Sequence, residues 1–145
     1  MNVQSILTAK GSEVSTVLPD SSLAQAAADL RDRGVGALVV SSDGRTILGI
    51  LSERDVVRAI AAHGASALGR TVASTMSTQV VTCRAQDSIE SLMASMTERR
   101  IRHLPVVDGA GTLGGIVSIG DVVKIRLGLL ESENQALSEY VHQGR

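Results

Sequence analysis

The stretch Gly49-Ile50-Leu51-Ser52-Glu53-Arg54-Asp55-Val56-Val57 recurs 66 residues later as Gly115-Ile116-Val117-Ser118-Ile119-Gly120-Asp121-Val122-Val123. Around this signature, residues 13–60 align with residues 79–126 without a gap, and 14 of the 48 aligned pairs are identical. A repeat at a fixed offset indicates two copies of one supersecondary unit that share a core. The sequence therefore predicts a duplicated module.

Each copy is predicted to fold as strand, helix, strand, turn, strand and helix, because helical apolar spacing alternates with short β-prone runs and turn residues. In the first copy the predicted strands are 13–17, 37–41 and 46–51, and the predicted helices are 22–34 and 53–63. In the second copy the predicted strands are 79–83, 103–107 and 112–118, and the predicted helices are 88–99 and a helix from 121 onward.

The repeat also predicts the domain boundaries: a first repeat at 1–64, a linker at 65–71, a second repeat at 72–128 and a C-terminal helical extension at 129–145. The last helix carries an intermittent apolar stripe, formed by Val122, Ile125, Leu129, Leu130, Leu137 and Val141. Such a stripe needs a partner surface on this subunit or another, and it favours a homodimer. A solvated, fraying tail is the alternative.

The composition argues against several classes of partner. The net charge of −1, from 14 basic and 15 acidic side chains, gives no support to nucleic-acid or membrane binding. Tyr140 is the only aromatic residue, so a bound base would be held by aliphatic and backbone groups. The start of the chain lacks the features of a signal peptide, and no apolar run is long enough to span a bilayer. A cytoplasmic location is expected.

The sequence predicts neither a metal site nor a catalytic centre. Cys83 is the only cysteine and lies in an apolar run, which favours a buried side chain over a nucleophile. The three histidines, His63, His103 and His142, are too scattered for a metal site. Residues 109–114 fit the Gly-x-Gly-x-x-Gly fingerprint, but a strand follows them where that fingerprint needs a helix, so they are predicted to form a hairpin turn.

The serine and aspartate of the signature have two interpretations. Ser52 with Asp55, and Ser118 with Asp121, have the spacing of a capping box at the start of a helix. The amide groups of a helix N-terminus also favour phosphate, and a carboxylate there can accept hydrogen bonds from ribose hydroxyls. Both pairs are kept while the positions between them differ, which favours ligand binding over capping alone.

Both copies of the signature, together with Arg102-His103-Leu104-Pro105-Val106-Val107-Asp108, resemble the pattern of CBS (cystathionine-β-synthase) domains. The likeness covers roughly residues 1–128, and the chain is similar to stand-alone bacterial proteins with two CBS domains, which form one Bateman module. The resemblance implies an α+β fold of two β-α-β-β-α repeats packed with pseudo-twofold symmetry. It also implies two clefts between the repeats, which in the family bind AMP, ADP, ATP, NAD or S-adenosylmethionine.

The resemblance places two sets of residues around these clefts. The Asp121 cleft would contain Asp121, Ser118, Ile116, Arg102, His103, Ser12, Val14, Val35 and Gly36. The Asp55 cleft would contain Asp55, Ser52, Ile50, Met76, Thr78, Val80, Ile101 and Arg54. The aspartates and serines would hold ribose and phosphate, and the base would lie against the opposite repeat.

The two clefts are not expected to be equivalent. Where the second repeat has Arg102-His103, the first has Gly36-Ala37. Arg102 and His103 would face the phosphates in the Asp121 cleft, whereas the Asp55 cleft would take its positive charge from Arg54 or Arg100. We therefore expect tighter nucleotide binding in the Asp121 cleft, or ligands with different phosphate counts in the two clefts.

The expected function is that of a non-catalytic sensor. An adenine nucleotide, with AMP, ATP or NAD favoured and no metal required, would change the setting of the repeats or of a homodimer and so bias binding to a protein partner. Two alternatives stay open. One is a structural dimerisation module without a physiological nucleotide, and the other is an enzyme that acts on a nucleotide in the same cleft.

Overall fold

The computed structural model of the chain describes residues 1–144. Its elements, in chain order, are α1 (Val3–Lys10), β1 (Thr16–Val17), α2 (Leu23–Arg33), β2 (Ala37–Val40), β3 (Gly49–Ser52), α3 (Glu53–His63), a 3₁₀ helix (Gly64–Gly69), α4 (Val72–Thr75), α5 (Ile89–Arg99), β4 (His103–Val107), β5 (Leu113–Ser118) and α6 (Ile119–Gln143). Each repeat has a small sheet covered by helices. The predicted α+β fold of two repeats is confirmed.

The strands of the two repeats pair in the same way. β1 pairs with β2 in parallel, β2 pairs with β3 antiparallel, and β4 and β5 form the equivalent antiparallel hairpin. Cys83 makes a single parallel bridge to Val106, which is the counterpart of the pairing between Val17 and Val40. The strand predicted at 79–83 is therefore reduced to one bridge, because only Cys83 comes into register with the neighbouring strand.

Each hydrophobic core includes a helix that lies beside the other repeat in the sequence, and we call these two helices, α1 and α4, the exchanged helices. The core of the second repeat contains three side chains of α1, and the core of the first repeat contains side chains of the 3₁₀ helix and α4. The amide of Val3 donates to the carbonyl oxygen of Asp87 over 2.9 Å, and the amide of Val72 donates to that of Ser21 over 2.8 Å. Each repeat is thus completed by the helix that precedes the other repeat in the sequence. The boundaries predicted at 64/65 and 71/72 separate the repeats along the sequence, but each core contains side chains from both sides of them.

The signature glycines lie where these exchanged helices touch the strands. A Cβ atom at Gly49 would lie 2.6 Å from Sδ of Met76 and 2.8 Å from the backbone oxygen of Ser77. A Cβ atom at Gly115 would lie 2.8 Å from Cδ2 of Leu7. Real Cβ atoms do not approach other heavy atoms this closely. At Gly49 the Ser77 backbone therefore leaves no room for a side chain, whereas at Gly115 an added Cβ would require Leu7 to move.

The last helix, α6, extends beyond the second repeat. Val122 is buried and Ile125 packs against the second core, but every residue from Leu130 to Gly144 is exposed. The helical extension predicted at 129–145 is observed as far as Gln143, and Arg145 lies outside the described residues. Within residues 1–144, no helix combines the length and the apolar character that crossing a membrane would require.

Candidate functional site

A cleft of about 870 Å³ opens beside the start of α3, and both repeats contribute to its walls. Its lining residues are Gly36, Ala37, Ile50, Ser52, Glu53, Arg54, Asp55, Val57, Arg58, Ser77, Gln79, Val80, Val81, Arg99, Arg100, Ile101, Arg102 and His103. Ligand pockets usually have volumes of about 300–1,000 Å³. The Asp55 cleft is therefore large enough for a nucleotide.

Ser52 and Asp55 bind each other at the edge of this cleft. The amide of Ser52 donates to Oδ2 of Asp55 over 2.8 Å, and the Ser52 hydroxyl donates to the same oxygen over 3.0 Å. The amide of Asp55 donates back to the Ser52 hydroxyl over 3.3 Å, which completes a capping box. The other carboxylate oxygen, Oδ1, accepts no hydrogen bond from residues 1–144. The capping interpretation thus holds, and it leaves one oxygen of Asp55 open to a ligand hydroxyl.

Five arginines make the cleft strongly basic. They are Arg54 and Arg58 on α3, and Arg99, Arg100 and Arg102 between the end of α5 and the start of β4. The lining contains only two carboxylates, those of Glu53 and Asp55. Guanidinium groups bind phosphate oxygens through strong charge-assisted hydrogen bonds. This lining favours an anionic ligand.

Arg100 holds a backbone conformation that L residues rarely adopt. It follows α5 with φ 54° and ψ 44°, and within residues 1–144 it is the only non-glycine residue with a positive φ. Its counterpart after α2 is Gly34, with φ 63° and ψ 36°. The left-handed conformation costs an L residue about 1–2 kcal/mol. Nη1 of Arg54 donates to the carbonyl oxygen of Arg100 over 3.3 Å and so joins this turn to α3.

Gly36 and His103 face each other between the two repeats. A Cβ atom at Gly36 would lie 3.0 Å from Cε1 of His103 and 3.1 Å from Oε1 of Glu53. The glycine of one repeat thus leaves room for the histidine of the other. Burial lowers the pKa of His103, and the nearby carboxylates of Glu53 and Asp121 offset this effect only in part, so the imidazole is neutral at pH 7.

At the equivalent turn of the second repeat, a lysine engages the aspartate. Nζ of Lys10 lies 2.7 Å from Oδ2 of Asp121, which also accepts a hydrogen bond from the amide of Ser118 over 2.8 Å. Burial alone would raise the pKa of Asp121, but these hydrogen bonds hold it below its usual value. Helix α1 has eight residues and α4 has four, and the extra turn carries Lys10 to Asp121. No ion pair to Asp55 is present within residues 1–144.

Six of the eight residues expected in the Asp55 cleft do line it: Ile50, Ser52, Arg54, Asp55, Val80 and Ile101. Met76 lies against Gly49 and packs on the first core, and Thr78 is exposed between two lining residues. Arg58 and Arg99 also line the cleft but were absent from the expected set. Arg58 could have been found from its spacing, since it lies one helical turn after Arg54.

The nine residues expected in the Asp121 cleft are divided between two places. Asp121 and Ser118 lie together at the start of α6, and Ile116 is half-buried on β5. Ser12 is exposed and Val14 half-buried before β1, and Val35 packs against the first core. Arg102, His103 and Gly36 line the Asp55 cleft, because β2 and β4 both begin at that cleft. His103 also pairs with Ser118 across the β4–β5 hairpin, so it lies near both aspartates, and the charge that contacts Asp121 directly is that of Lys10.

The described residues do not form a metal site or a reactive thiol. No cluster of three or more His, Cys, Asp or Glu side chains that could hold a metal ion occurs within residues 1–144. Cys83 is buried, and burial together with the nearby Asp87 raises the pKa of its thiol to about 12. Because a thiol with so high a pKa is protonated at neutral pH, Cys83 is a core residue and not a nucleophile.

The sequence model of the CBS domain matches the chain twice, at residues 6–62 and 71–128. The chain belongs to the CBS domain family. It is a CBS pair, one domain for each repeat, and the resemblance noted in the sequence is confirmed. CBS pairs are regulatory modules, and the coarse functional class follows from this membership.

The CBS pair is similar to proteins from bacteria and plants. It is 34% identical to YhcV of Bacillus subtilis over 132 residues, which cover 90% of this chain and 91% of YhcV. It is also 34% identical to the mitochondrial protein CBSX3 of Arabidopsis thaliana over 129 residues, which cover 86% of this chain but only 62% of CBSX3. The CBS pair thus spans less than two thirds of that plant protein.

Two solved structures support the same assignment. The CBS-domain-containing protein ATU1752 from Agrobacterium tumefaciens is 44% identical, with a TM-score of 0.83 over 86% of this chain and 92% of that chain. CBSX2, solved in complex with AMP, is 28% identical, with a TM-score of 0.69 over 80% of this chain and 89% of that chain. The fold of this CBS pair is therefore shared with a protein that binds AMP.

Proposed function

We propose that this CBS pair is a non-catalytic sensor that binds an adenine nucleotide in the Asp55 cleft. The observation that carries the proposal is a serine–aspartate helix start and five arginines in one cleft of about 870 Å³. Oδ1 of Asp55 would accept hydrogen bonds from the ribose hydroxyls, and the arginines would bind the phosphates. The AMP bound to CBSX2 supports an adenosine-containing ligand.

The base would be held by aliphatic side chains. Ile50, Val80 and Ile101 line the Asp55 cleft, and none of its lining residues is Phe, Tyr or Trp. Apolar contact of this kind discriminates among bases less sharply than hydrogen bonds to the base edge do. We therefore infer that affinity comes mainly from the ribose and the phosphates, which suits AMP, ADP, ATP or NAD better than the cationic S-adenosylmethionine.

We infer that the Asp55 cleft is the principal site and that the turn at Asp121 is a weaker one. Lys10 already neutralises Asp121, whereas Arg102 and His103 contribute to the Asp55 cleft. This ranking reverses the expectation from the sequence, because that expectation assigned Arg102 and His103 to the other cleft. A second nucleotide at Asp121, with Ser118 and Ile116, remains a prediction.

Both repeats contribute walls to the Asp55 cleft, so a bound nucleotide would contact both. A ligand that binds one relative arrangement of the two repeats more tightly shifts the population toward that arrangement. The second subunit of a homodimer, or a separate protein partner, would then respond to the change in arrangement. We propose that the chain forms a homodimer, as the apolar residues on α6 favour. The cytoplasmic location expected from the sequence also remains a prediction.

Asp55→Asn and Asp121→Asn are a matched pair that tests this proposal, because both aspartates belong to capping boxes of the same geometry. In calorimetric titrations with AMP and with ATP, we expect Asp55→Asn to weaken binding at least tenfold, about 1.4 kcal/mol. Asp121→Asn should change the Kd less than about threefold, which is 0.7 kcal/mol at most. Equal losses would contradict the ranking of the clefts. Absence of binding to the unchanged protein would contradict the sensor.

The same nucleotides distinguish the alternative functions. A rise in Tm without chemical change of the nucleotide is expected for a sensor, because a ligand stabilises the state that binds it. Conversion of the nucleotide, followed by chromatography, would indicate an enzyme. Neither a Tm rise nor conversion would indicate a structural dimerisation module.

A further inference from the structure

The exposed face of α6 carries an unbroken heptad pattern. Six residues, separated alternately by four and three positions, form it: Val123, Leu127, Leu130, Asn134, Leu137 and Val141. In heptad notation Leu127, Asn134 and Val141 occupy a positions, and the other three occupy d positions. The five apolar side chains are between 43% and 63% exposed, so they lack a partner within the chain. We call these six residues the α6 seam.

The α6 seam is distinct from the face of α6 that packs on the second repeat. Val122 is 1% exposed, Ile125 packs against the second core and Leu129 is half-buried. With about 100° of rotation per residue, the centre of this packed face lies roughly 130° around the helix from the centre of the seam. One face of α6 is therefore used within the chain, and the other is available to a partner.

The end of α6 also needs a partner for its own stability. Residues 131–144 are all exposed, so no tertiary packing holds this part of the helix. In proteins most helical stability comes from the tertiary packing of an amphipathic face. A second copy of α6 on the seam would supply it.

We propose that two copies of the chain pair through the α6 seam as a parallel, two-stranded coiled coil. This inference rests on the homodimer of the proposed function and adds its surface and orientation. Two of the three d positions are leucine, and Val141 at an a position is β-branched, a combination that favours two parallel strands. A single asparagine at an a position, here Asn134, specifies the register and the number of strands.

Charge complementarity supports the parallel orientation. Arg126 occupies a g position and Glu131 the following e position, and in a parallel pair Arg126 lies next to Glu131 of the partner subunit. Within its own chain, Nη1 of Arg126 is 3.9 Å from Oε1 of Glu90, at the long end of ion-pair distances, and the Arg126 side chain is 45% exposed. The side chain can therefore turn to the partner without loss of a close contact.

Cysteine cross-linking tests the orientation. In a parallel coil, a cysteine at an a position faces the same cysteine of the partner, so Leu127→Cys and Val141→Cys, which both keep Asn134, should each give disulfide-linked dimers under mild oxidation. Ser132→Cys, on the outer face, and the unchanged protein, whose Cys83 is buried, are the controls and should stay uncross-linked. An antiparallel pair can bring at most one of the two a positions together. Cross-linking at only one of them, or at neither, overturns the proposal.

Sedimentation tests the surface itself. We expect the unchanged protein to sediment at twice the 15.1 kDa of one chain. The double variant Leu130→Asp, Leu137→Asp should weaken the dimer at least tenfold, whereas Ser132→Asp with Gln135→Asp adds the same charge outside the seam and should not. A monomeric unchanged protein would contradict the homodimer altogether. A dimer that the seam variant leaves intact, with an unchanged Tm, would overturn only the inference about α6.

Discussion

At the position equivalent to Arg100, the first repeat has a glycine, Gly34. Gly34 and Arg100 end equivalent helices in the same left-handed conformation, but only the arginine carries strain there. Strained residues persist where the surrounding structure holds them, and they cluster at binding sites. Since Arg100 lines the Asp55 cleft beside four other arginines, we infer that its side chain is retained for the phosphates of the ligand and not for the helix end.

Arg100→Gly should therefore separate affinity from stability. Glycine relieves the left-handed strain, so we expect Tm to stay the same or to rise by about 2–4 °C. Loss of the guanidinium should weaken ATP binding at least tenfold and AMP binding less, since ATP carries more negative charge. Calorimetry and thermal unfolding measure the two effects.

Gly34→Ala is the matched control for Arg100→Gly. It introduces the strain that the glycine avoids, and nothing lies within 4 Å of the added Cβ, so Tm should fall while nucleotide affinity is unchanged. A drop in the Tm of Arg100→Gly with no change in affinity would show that Arg100 is a structural residue.

The buried imidazole of His103 predicts a loss of stability in acid. Burial lowers its pKa below the ordinary value of 6.5, so between the two pKa values the unfolded chain binds a proton that the folded chain does not. The free energy of unfolding therefore falls as the pH decreases below about 6.5, by at most about 1.4 kcal/mol for each pH unit. Urea unfolding at pH 7 and pH 5 should show this loss.

His103→Gln is the control for the acid effect, because it keeps a polar side chain of similar size but removes the titrating group. The variant should lose less free energy of unfolding between pH 7 and pH 5 than the unchanged protein. An equal loss in both proteins would assign the acid effect to groups other than His103.

At the scale of elements, the two exchanged helices press on their strands unequally. An alanine at Gly49 would meet a backbone oxygen at 2.8 Å, whereas an alanine at Gly115 would meet only the side-chain end of Leu7. A leucine side chain can move, whereas the carbonyl oxygen of Ser77 accepts a hydrogen bond from the amide of Ile50 and cannot move without breaking it. We therefore expect Gly49→Ala to lower the free energy of unfolding by about 2–3 kcal/mol and Gly115→Ala by about 1 kcal/mol.

Urea midpoints of the two glycine variants check this expectation. The added methyl group is the same in both, so intrinsic propensity cancels and the difference reports the fixed backbone of Ser77 against the movable side chain of Leu7. Equal midpoints would contradict the contact geometry derived for Ser77.

The sequence is sufficient to predict the long elements but not the exchanged helices. Apart from the strand at 79–83, every element predicted in the repeats begins or ends within three residues of the observed bounds, because periodicity and serine caps specify it locally. Helices α1 and α4 have only eight and four residues, too few for a periodic signal. Their destination in the opposite core depends on distant contacts, 84 residues apart for Val3 and Asp87 and 51 residues apart for Val72 and Ser21.

At the scale of the whole molecule, the overall amino-acid composition gives no indication of the basic candidate site. The chain has a net charge of −1, but five of its 14 basic side chains meet in one cleft with only two carboxylates. Ser52, Asp55, Val80 and Ile101, which the resemblance to CBS domains placed around one cleft, do line it. The repeat cannot show that Arg102 and His103 reach this cleft, because positions near a pseudo-twofold axis are close to both clefts and sequence offset does not distinguish them.

The exchange of α1 into the second core also bears on how the chain is made. Val3 joins a core that includes Val117, so its packing partner is synthesised about 114 residues later. At about 5–20 residues per second, the first helix leaves the ribosome on the order of ten seconds before that partner exists. The first core has all its apolar side chains once Val72 of α4 and Met76 have been made. Folding of the first half can therefore be completed during synthesis, whereas α1 reaches its place in the second core only near the end.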